Sequence, residues 1–160
     1  GGVYNKFQDE GLQIDDKRRV DVFAIDFNTT LSKLNTYITG EWAWIHVDVP
    51  STYTQQYGEK QYGGFIDIVQ PLIRKRVWVW EKARLNLACR LEYVDWNVGQ
   101  FNETDDTISD ELWSIMPCLS FRPSSQTVFR INYRYQLQRD ILGNPPAKTG
   151  GFSIGLSTYF

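Results

Sequence analysis

The chain has 160 residues, a net charge of −2, two cysteines and one histidine, and 15% of its residues are aromatic. This length fits one domain or a piece of one. The weak charge gives no sign of a nucleic-acid partner, and no apolar run approaches the roughly 18 residues that a transmembrane helix needs. A single histidine excludes sites built from several, and no Walker loop or GxSxG motif is present. We therefore expect no catalysis, no metal site and no cofactor.

Alternation of apolar and polar residues, which predicts β-strands, begins after a polar N-terminal segment. Residues 3–19 predict a loop or a strand end, and residues 20–28 predict the first clear strand. In the next predicted strand, residues 34–49, one face is aliphatic and the other carries tryptophan, histidine and aspartate. We expect the aliphatic face of this strand to meet lipid, which places His46 and Asp48 on the water-facing side.

The middle of the chain combines a proline with a basic, tryptophan-rich segment. Residues 62–70 predict a strand that Pro71 ends or distorts, because proline cannot donate to the ladder. A basic cluster over 74–76 then precedes Trp78 and Trp80. Two interpretations stay open for this cluster. It is either a membrane–water boundary, where amphipathic rings sit at headgroup level, or an ordinary basic turn.

Residues 82–97 show the clearest strand pattern. The alternation runs without a break from Ala83 to Tyr93. That is about the length of a tilted membrane-crossing strand, roughly 9–11 residues, whereas strands of globular proteins average about 5–6. This length is the main reason to predict a membrane barrel.

The rest of the chain predicts three further strands. An acidic loop over 98–111 lacks the ligand spacing of an EF-hand, so we interpret it as solvated, with calcium binding as the alternative. Alternation then marks strands within 113–122, 127–138 and 150–160. The last strand ends on the bulky Phe160. Seven strands are predicted in all, with the N-terminal segment as a candidate eighth.

These alternations divide the late strands into a face predicted to meet lipid and a face predicted to line a wet lumen. Cys89 and Cys118 fall on opposite faces, which predicts two free thiols. The lipid-facing candidates are Leu85, Leu87, Leu91, Phe129, Ile131, Tyr133 and Phe160. The pore-lining candidates are Arg84, Arg90, Glu92, Arg122, Arg130 and Arg134.

The arginines on the wet face admit two interpretations. Water can solvate them there, whereas on the lipid face each would cost about 2–4 kcal/mol at the midplane. Rings of basic side chains favour the passage of anions through a pore. Alternatively, the arginines pair with Glu92, Asp26 and Asp67 and only stiffen the wall.

Three segments resemble the C-terminal part of large outer-membrane porins of the phosphate-selective type and its relatives. They read RLEYVDWN at 90–97, LSFRPSSQTVFRINYRYQ at 119–136 and GFSIGLSTYF at 151–160. The resemblance implies an antiparallel transmembrane β-barrel of about sixteen strands, commonly trimeric, in the outer membrane of a Gram-negative bacterium. Residues 1–160 would then be one β-barrel domain without an internal boundary, the C-terminal part of a longer barrel. The terminal Phe160 implies recognition by the barrel-assembly machinery.

The predicted function is therefore a porin: a water-filled diffusion channel for small polar or anionic solutes, surrounded by outer-membrane lipid. Two alternatives stay open. One is a structural outer-membrane barrel or complex subunit without conductance, since an eight-stranded barrel is only wide enough for its own side chains. The other is a soluble ligand-binding barrel or sandwich, in which exposed tryptophans such as Trp42, Trp44, Trp78 or Trp80 would form the binding platform.

Overall fold

The computed structural model describes residues 7–9, 12–14, 19–50 and 53–159. Within these ranges the chain is all β. Two short strands, β1 (Phe7–Asp9) and β2 (Leu12–Ile14), form an antiparallel pair of their own. The other strands form one sheet and are β3 (Val20–Leu31), β4 (Thr36–Val47), β5 (Lys60–Arg74), β6 (Arg84–Asp95), β7 (Glu111–Arg122), β8 (Thr127–Gln138) and β9 (Ala147–Thr158).

The large sheet is an antiparallel meander in which each strand pairs with its neighbours in the chain. Antiparallel neighbours can be joined by short hairpins, which suits strands that follow one another closely in sequence. The outermost strands, β3 and β9, do not pair with each other, so this sheet is open. The predicted all-β class and the seven strands are confirmed. No helix in the described ranges is long and apolar enough to cross a membrane.

The strands are long and regular, with one irregularity. Six strands of the sheet have 12 residues each, and β5 has 15. In β5 the register shifts between Pro71 and Ile73. Proline has no N–H for the ladder, and a bulge accommodates it without ending the strand. The sequence predicted an end or a distortion at Pro71, and the structure shows a distortion, with the strand continuing to Arg74.

The connections between strands separate into two rims of the sheet. We call them the loop rim and the turn rim. The loop rim carries the connections 48–59, 96–110 and 139–146. The turn rim carries the tight turns 32–35 and 123–126 and a longer hairpin turn, 75–83.

The connections of the loop rim hold one another in place. The side chain of Asn97 accepts a hydrogen bond from the backbone N–H of Gly58 at 2.6 Å and donates one to Asp110 Oδ2 at 2.5 Å. The N–H of Ser109 donates to the carbonyl of Ile141 at 3.3 Å. These bonds link all three connections, so the loop rim is a packed cluster of loops.

The sheet is a single layer with almost no interior. Among the described residues, only Ala83 and Ile108 are buried hydrophobic residues, and both lie in connections. Large apolar side chains on the strands are instead exposed, for example Phe152 and Ile154 at 80% and 81%. A sheet normally buries its apolar face against a second layer. No second layer of the described residues covers the apolar side chains of this sheet.

Candidate functional site

Strand pairing sorts the side chains of the large sheet into two faces, because residues directly opposite each other in an antiparallel ladder point to the same side. Leu87 lies opposite Leu119, Leu119 opposite Ile131, and Ile131 opposite Ile154. We call the face that carries this row the apolar face. The other face, which carries Arg90, is the polar face.

The predicted lipid-facing residues share the apolar face as far as the structure describes them. Phe160 lies outside the described residues. The others on this face are Leu85, Leu87, Leu91, Phe129, Ile131 and Tyr133. The sequence therefore predicted correctly that these side chains share one face.

Aromatic side chains line the apolar face near the loop rim. The ring centroids of Trp42 and Tyr62 are 5.7 Å apart, those of Trp42 and Tyr93 are 6.1 Å apart, and those of Tyr93 and Trp113 are 4.4 Å apart. Trp44 follows one row nearer the loop rim and is 43% exposed. We call this set the aromatic row. It spans β4 to β7 and marks one border of the apolar surface.

The face assignment that the sequence suggested for β4 is wrong. Its aliphatic residues lie on the polar face, and its aromatic side faces the apolar surface. Phe23 and Ile25 lie directly opposite Trp44 and Trp42, so strand register joins these four large side chains. Tryptophan buries more area than an aliphatic residue, which favours this pairing. The residues whose faces are exchanged are Ala43, Ile45, Val47, Trp42, Trp44 and His46.

A shallow groove lies in the apolar face beside the aromatic row, and aromatic rings cover two glycines in this region. A Cβ atom on Gly40 would lie 2.7 Å from Cε1 of Phe27, so that ring lies directly over the glycine. The ring of Trp42 covers Gly64 in the same way. The groove has a volume of about 430 Å³ and almost purely apolar walls, which include Tyr93.

The six predicted pore-lining residues all lie on the polar face. Arg84 lies opposite Arg122, and Arg130 lies opposite Ser120. Glu92 lies opposite Ser114. Arg90 and Arg134 complete the set on β6 and β8. The sequence predicted this grouping correctly, because none of these positions is separated from the others by a bulge.

Four charged side chains of the polar face form one ion-pair network. Arg90 donates from Nε to Asp67 Oδ1 at 2.7 Å and from Nη2 to Asp67 Oδ2 at 2.6 Å. Arg90 Nη1 lies 3.6 Å from Glu92 Oε1, and Arg134 donates to Glu92 Oε2 at 2.5 Å. A bidentate arginine–carboxylate pair is among the strongest ionic contacts. The network therefore connects β5, β6 and β8 and stiffens this face.

Three other arginines of the polar face have no such partners. Arg84, Arg122 and Arg130 form no ion pair and no side-chain hydrogen bond with the described residues. The opposition of Arg84 and Arg122 is unfavourable, since like charges at paired positions repel. Arg122 and Arg130 line a concave region of about 380 Å³ together with Ser120 and Asn132. The polar face thus keeps an excess of positive charge toward the turn rim.

Two negatively charged side chains of the polar face lie on β3 and β4. Asp26 and Glu41 lie directly opposite each other on the polar face, and neither pairs with a cation in the described ranges. Strands lie about 4.8 Å apart, so three strand spacings, roughly 14 Å, separate β3 from the arginines of β6. Asp26 shares the polar face as the sequence predicted, but it neutralises no arginine there.

Two acidic residues of the predicted loop 98–111 have structural roles. Asp110 accepts a hydrogen bond from Asn97, and Glu111 accepts one from Arg139 at 3.0 Å. The described residues contain no group of three or more side chains placed to hold a metal ion. These two carboxylates therefore bind neighbouring residues of the loop rim.

The two cysteines lie on opposite faces of the sheet. Cys118 lies opposite Ala88, and Cys89 lies opposite Pro117. Both thiols are free. The prediction of two unpaired cysteines is confirmed.

Comparisons with protein-family models, with curated proteins and with solved structures find no match. One face is predominantly apolar and bordered by aromatic rings near the loop rim, and the other carries an ion-pair network beside arginines that have no partner among the described residues.

Proposed function

We propose that the large sheet is part of the wall of a β-barrel in the outer membrane of a Gram-negative bacterium. The apolar face meets lipid, and the polar face lines a water-filled channel through which small polar solutes diffuse without a chemical step. The observation that carries the proposal is the separation of an apolar from a polar face of the sheet, which is clearest on β6 and β8. Lipid would supply the apolar surrounding that this single layer lacks.

The height of the apolar surface supports a membrane setting. On β6 it extends from Leu85 to Tyr93, about 27 Å along the strand at 3.4 Å per residue. At the tilt of about 40° that membrane barrels adopt, this corresponds to a height of roughly 21 Å, close to the ~25 Å apolar band of such barrels. Aromatic rings at the border are typical of a membrane–water interface.

The two rims also support this setting. Membrane barrels have short periplasmic turns and longer extracellular loops. The turn rim would then face the periplasm, and the packed loops 48–59, 96–110 and 139–146 would face outward. The same orientation places the unpaired arginines at the periplasmic half of the channel wall.

The unpaired arginines favour anions as solutes. No carboxylate of the described residues pairs with Arg84, Arg122 or Arg130. Positive rings raise the local anion concentration in a pore. The carboxylates Asp26 and Glu41 lie on the same polar face, near its β3 edge. A channel so lined would lean toward anions without excluding cations.

A second function, a structural barrel or complex subunit without conductance, is favoured by the ion-pair network. The pairs of Arg90 with Asp67 and of Arg134 with Glu92 fill part of the polar face with interlocked side chains. In a narrow barrel such a network would occupy the lumen. A measurement of conductance distinguishes this structural barrel from a diffusion pore.

The resemblance to porins also implies binding partners for this chain. Residues 151–160 resemble the terminal strand through which the barrel-assembly machinery recognises its substrates, and the late strands resemble those of homotrimeric porins. Outer-membrane lipid would surround the apolar face.

The test is single-channel recording of the full native chain in planar bilayers under a salt gradient. Arg130→Glu should shift the reversal potential toward cations, because it reverses an unpaired charge on the polar face. Lys148→Glu is the matched control, since it reverses a charge on the adjacent strand but on the apolar face. An unchanged potential with Arg130→Glu would remove this arginine from the permeation path.

Two further outcomes separate the alternatives. A folded, membrane-inserted chain without conductance would favour the structural barrel. A chain that stays monomeric in buffer without detergent would contradict both membrane functions and leave a ligand-binding barrel or sandwich.

A further inference from the structure

The hairpin turn between β5 and β6 ends in an exposed tryptophan. Val77 and Trp80 exchange backbone hydrogen bonds of 2.9 Å in both directions, so Trp78 and Val79 occupy the tip. Trp78 is 85% exposed and Val79 is 78% exposed. We call residues 75–82 the tryptophan turn.

Trp78 adopts a backbone conformation that a bulky residue rarely takes. Its φ is +51°, in the left-handed region that favours glycine or asparagine. A glycine at the tip would form the same turn with less strain. Strained positions of this kind concentrate at functional sites. The exposed ring of Trp78 is therefore a candidate binding group.

The tryptophan turn is continuous with the apolar face. The ring of Trp80 packs edge-on against Phe121, with centroids 5.4 Å apart. Phe121 lies on the apolar face, opposite Leu85 and Phe129. The turn therefore extends the apolar surface at the turn rim, as the aromatic row borders it near the loop rim.

Basic side chains surround this aromatic tip. Lys75, Arg76 and Lys82 are exposed and form no ion pair with the described part of the chain. Arg76 donates from Nε to the carbonyl of Trp78 at 3.0 Å, which holds its guanidinium beside the tip. Glu81 is the only acidic residue in this segment. The turn thus combines a positive charge with an apolar tip.

We propose that the tryptophan turn is a binding site for the headgroups of anionic phospholipids at the turn rim of the sheet. Trp78, Val79 and Trp80 lie at the border between headgroups and acyl chains, where amphipathic rings are stabilised. Lys75, Arg76 and Lys82 contact the lipid phosphates, since basic residues beside a bilayer attract anionic lipid. The site rests on the proposed membrane function, because it needs the apolar face in lipid.

The test uses native mass spectrometry of the full chain in micelles that contain equal amounts of phosphatidylglycerol and phosphatidylcholine. The wild-type protein should retain phosphatidylglycerol preferentially. Lys75→Gln with Lys82→Gln should lower that preference by roughly 10- to 30-fold, from the usual contribution of two cations at a membrane surface. The control, Lys60→Gln with Lys148→Gln, removes the same charge at the loop rim, on the opposite border of the sheet, and should change the preference less than about twofold.

A second variant tests the aromatic tip. Trp78→Gly suits the positive φ and should fold as well as the wild-type chain. In vesicles of phosphatidylcholine with phosphatidylglycerol, the fluorescence lost in this variant identifies the Trp78 signal. Brominated lipids should quench that signal in the wild-type protein.

The outcomes distinguish this site from the function on which it rests. Equal retention of the two lipids by an inserted wild-type chain, or an unchanged preference after Lys75→Gln with Lys82→Gln, would overturn the site and leave the barrel intact. An unquenched Trp78 signal would overturn it as well. Failure of the wild-type chain to insert would refute the membrane function itself, and the site with it.

Discussion

Leu87→Arg places a charged side chain on the apolar face, and Ala88→Arg places the same side chain on the polar face one residue away. Leu87 is 47% exposed and lies in a row of leucine and isoleucine side chains. If that face meets lipid, Leu87→Arg transfers a cation into hydrocarbon. Ala88→Arg adds a cation to a face that already carries arginines.

The expected loss in the free energy of unfolding depends on how deep the substituted residue would lie in the membrane. The apolar surface of β6 runs from Leu85 to Tyr93, so its centre lies at Cys89. Leu87 is two residues from that centre, about 7 Å along the strand and roughly 5 Å along the membrane normal. Arginine costs about 2–4 kcal/mol at the midplane and about 0–1 near the interfaces, which gives roughly 2 kcal/mol for Leu87→Arg. Ala88→Arg should cost under about 1 kcal/mol, mainly from repulsion by Arg90.

The assay is equilibrium unfolding by guanidinium in phospholipid vesicles, followed by tryptophan fluorescence. The free energy of unfolding should fall by roughly 2 kcal/mol for Leu87→Arg, about a 30-fold change in the folding equilibrium. Leu85→Arg, nearer the turn rim, should cost less than Leu87→Arg. Equal losses for Leu87→Arg and Ala88→Arg, or a larger loss for Ala88→Arg, would refute the assignment of lipid and lumen to the two faces.

Two other predictions concern local structure. Gly40→Ala should lower the free energy of unfolding by about 1–3 kcal/mol, because its Cβ would lie 2.7 Å from the Phe27 ring, whereas Gly155→Ala, with no atom within 4 Å, should change it little in the same unfolding assay. In the connection 139–146, hydrogen bonds from the side chain and N–H of Asn144 hold the pKa of Asp140 below its usual range. The folded loop therefore favours the ionised carboxylate, so its stabilisation is complete above about pH 4 and is lost as the pH falls through the lowered pKa. Protection of the Asn144 amide against hydrogen exchange should decline only at acidic pH, and a pH-independent protection equal to that of Asp140→Ala would contradict this role.

Much of the large sheet could be predicted from alternation alone. Residues 127–138 were predicted as a strand with the bounds that the structure shows, because apolar and arginine or amide residues alternate there without interruption. The same is true of the face shared by Leu85, Leu87 and Leu91. A period of two fixes the face of every residue once the strand has no bulge.

Strand β4 shows where alternation is insufficient. Both of its faces are apolar enough to be buried, with Ala43, Ile45 and Val47 on one side and Trp42 and Trp44 on the other. Only the register with β3, which places Phe23 opposite Trp44, decides between them. Two tryptophans spaced by one residue near a strand end were the available signal, since such rings are typical of a membrane border.

The charges of the polar face depend on register in the same way. Arg90 and Arg130 occur in similar alternating segments, yet Arg90 lies opposite Asp67 and is held by two hydrogen bonds, whereas Arg130 lies opposite Ser120 and holds no partner in the described ranges. Alternation predicts that arginines and carboxylates share this face. Pairing between strands decides which arginine stays uncompensated among the described residues, and so which one could act on an anion in the proposed channel. The functional distinction between a stiffened wall and an anion-leaning channel therefore lies in the register of β5 to β8.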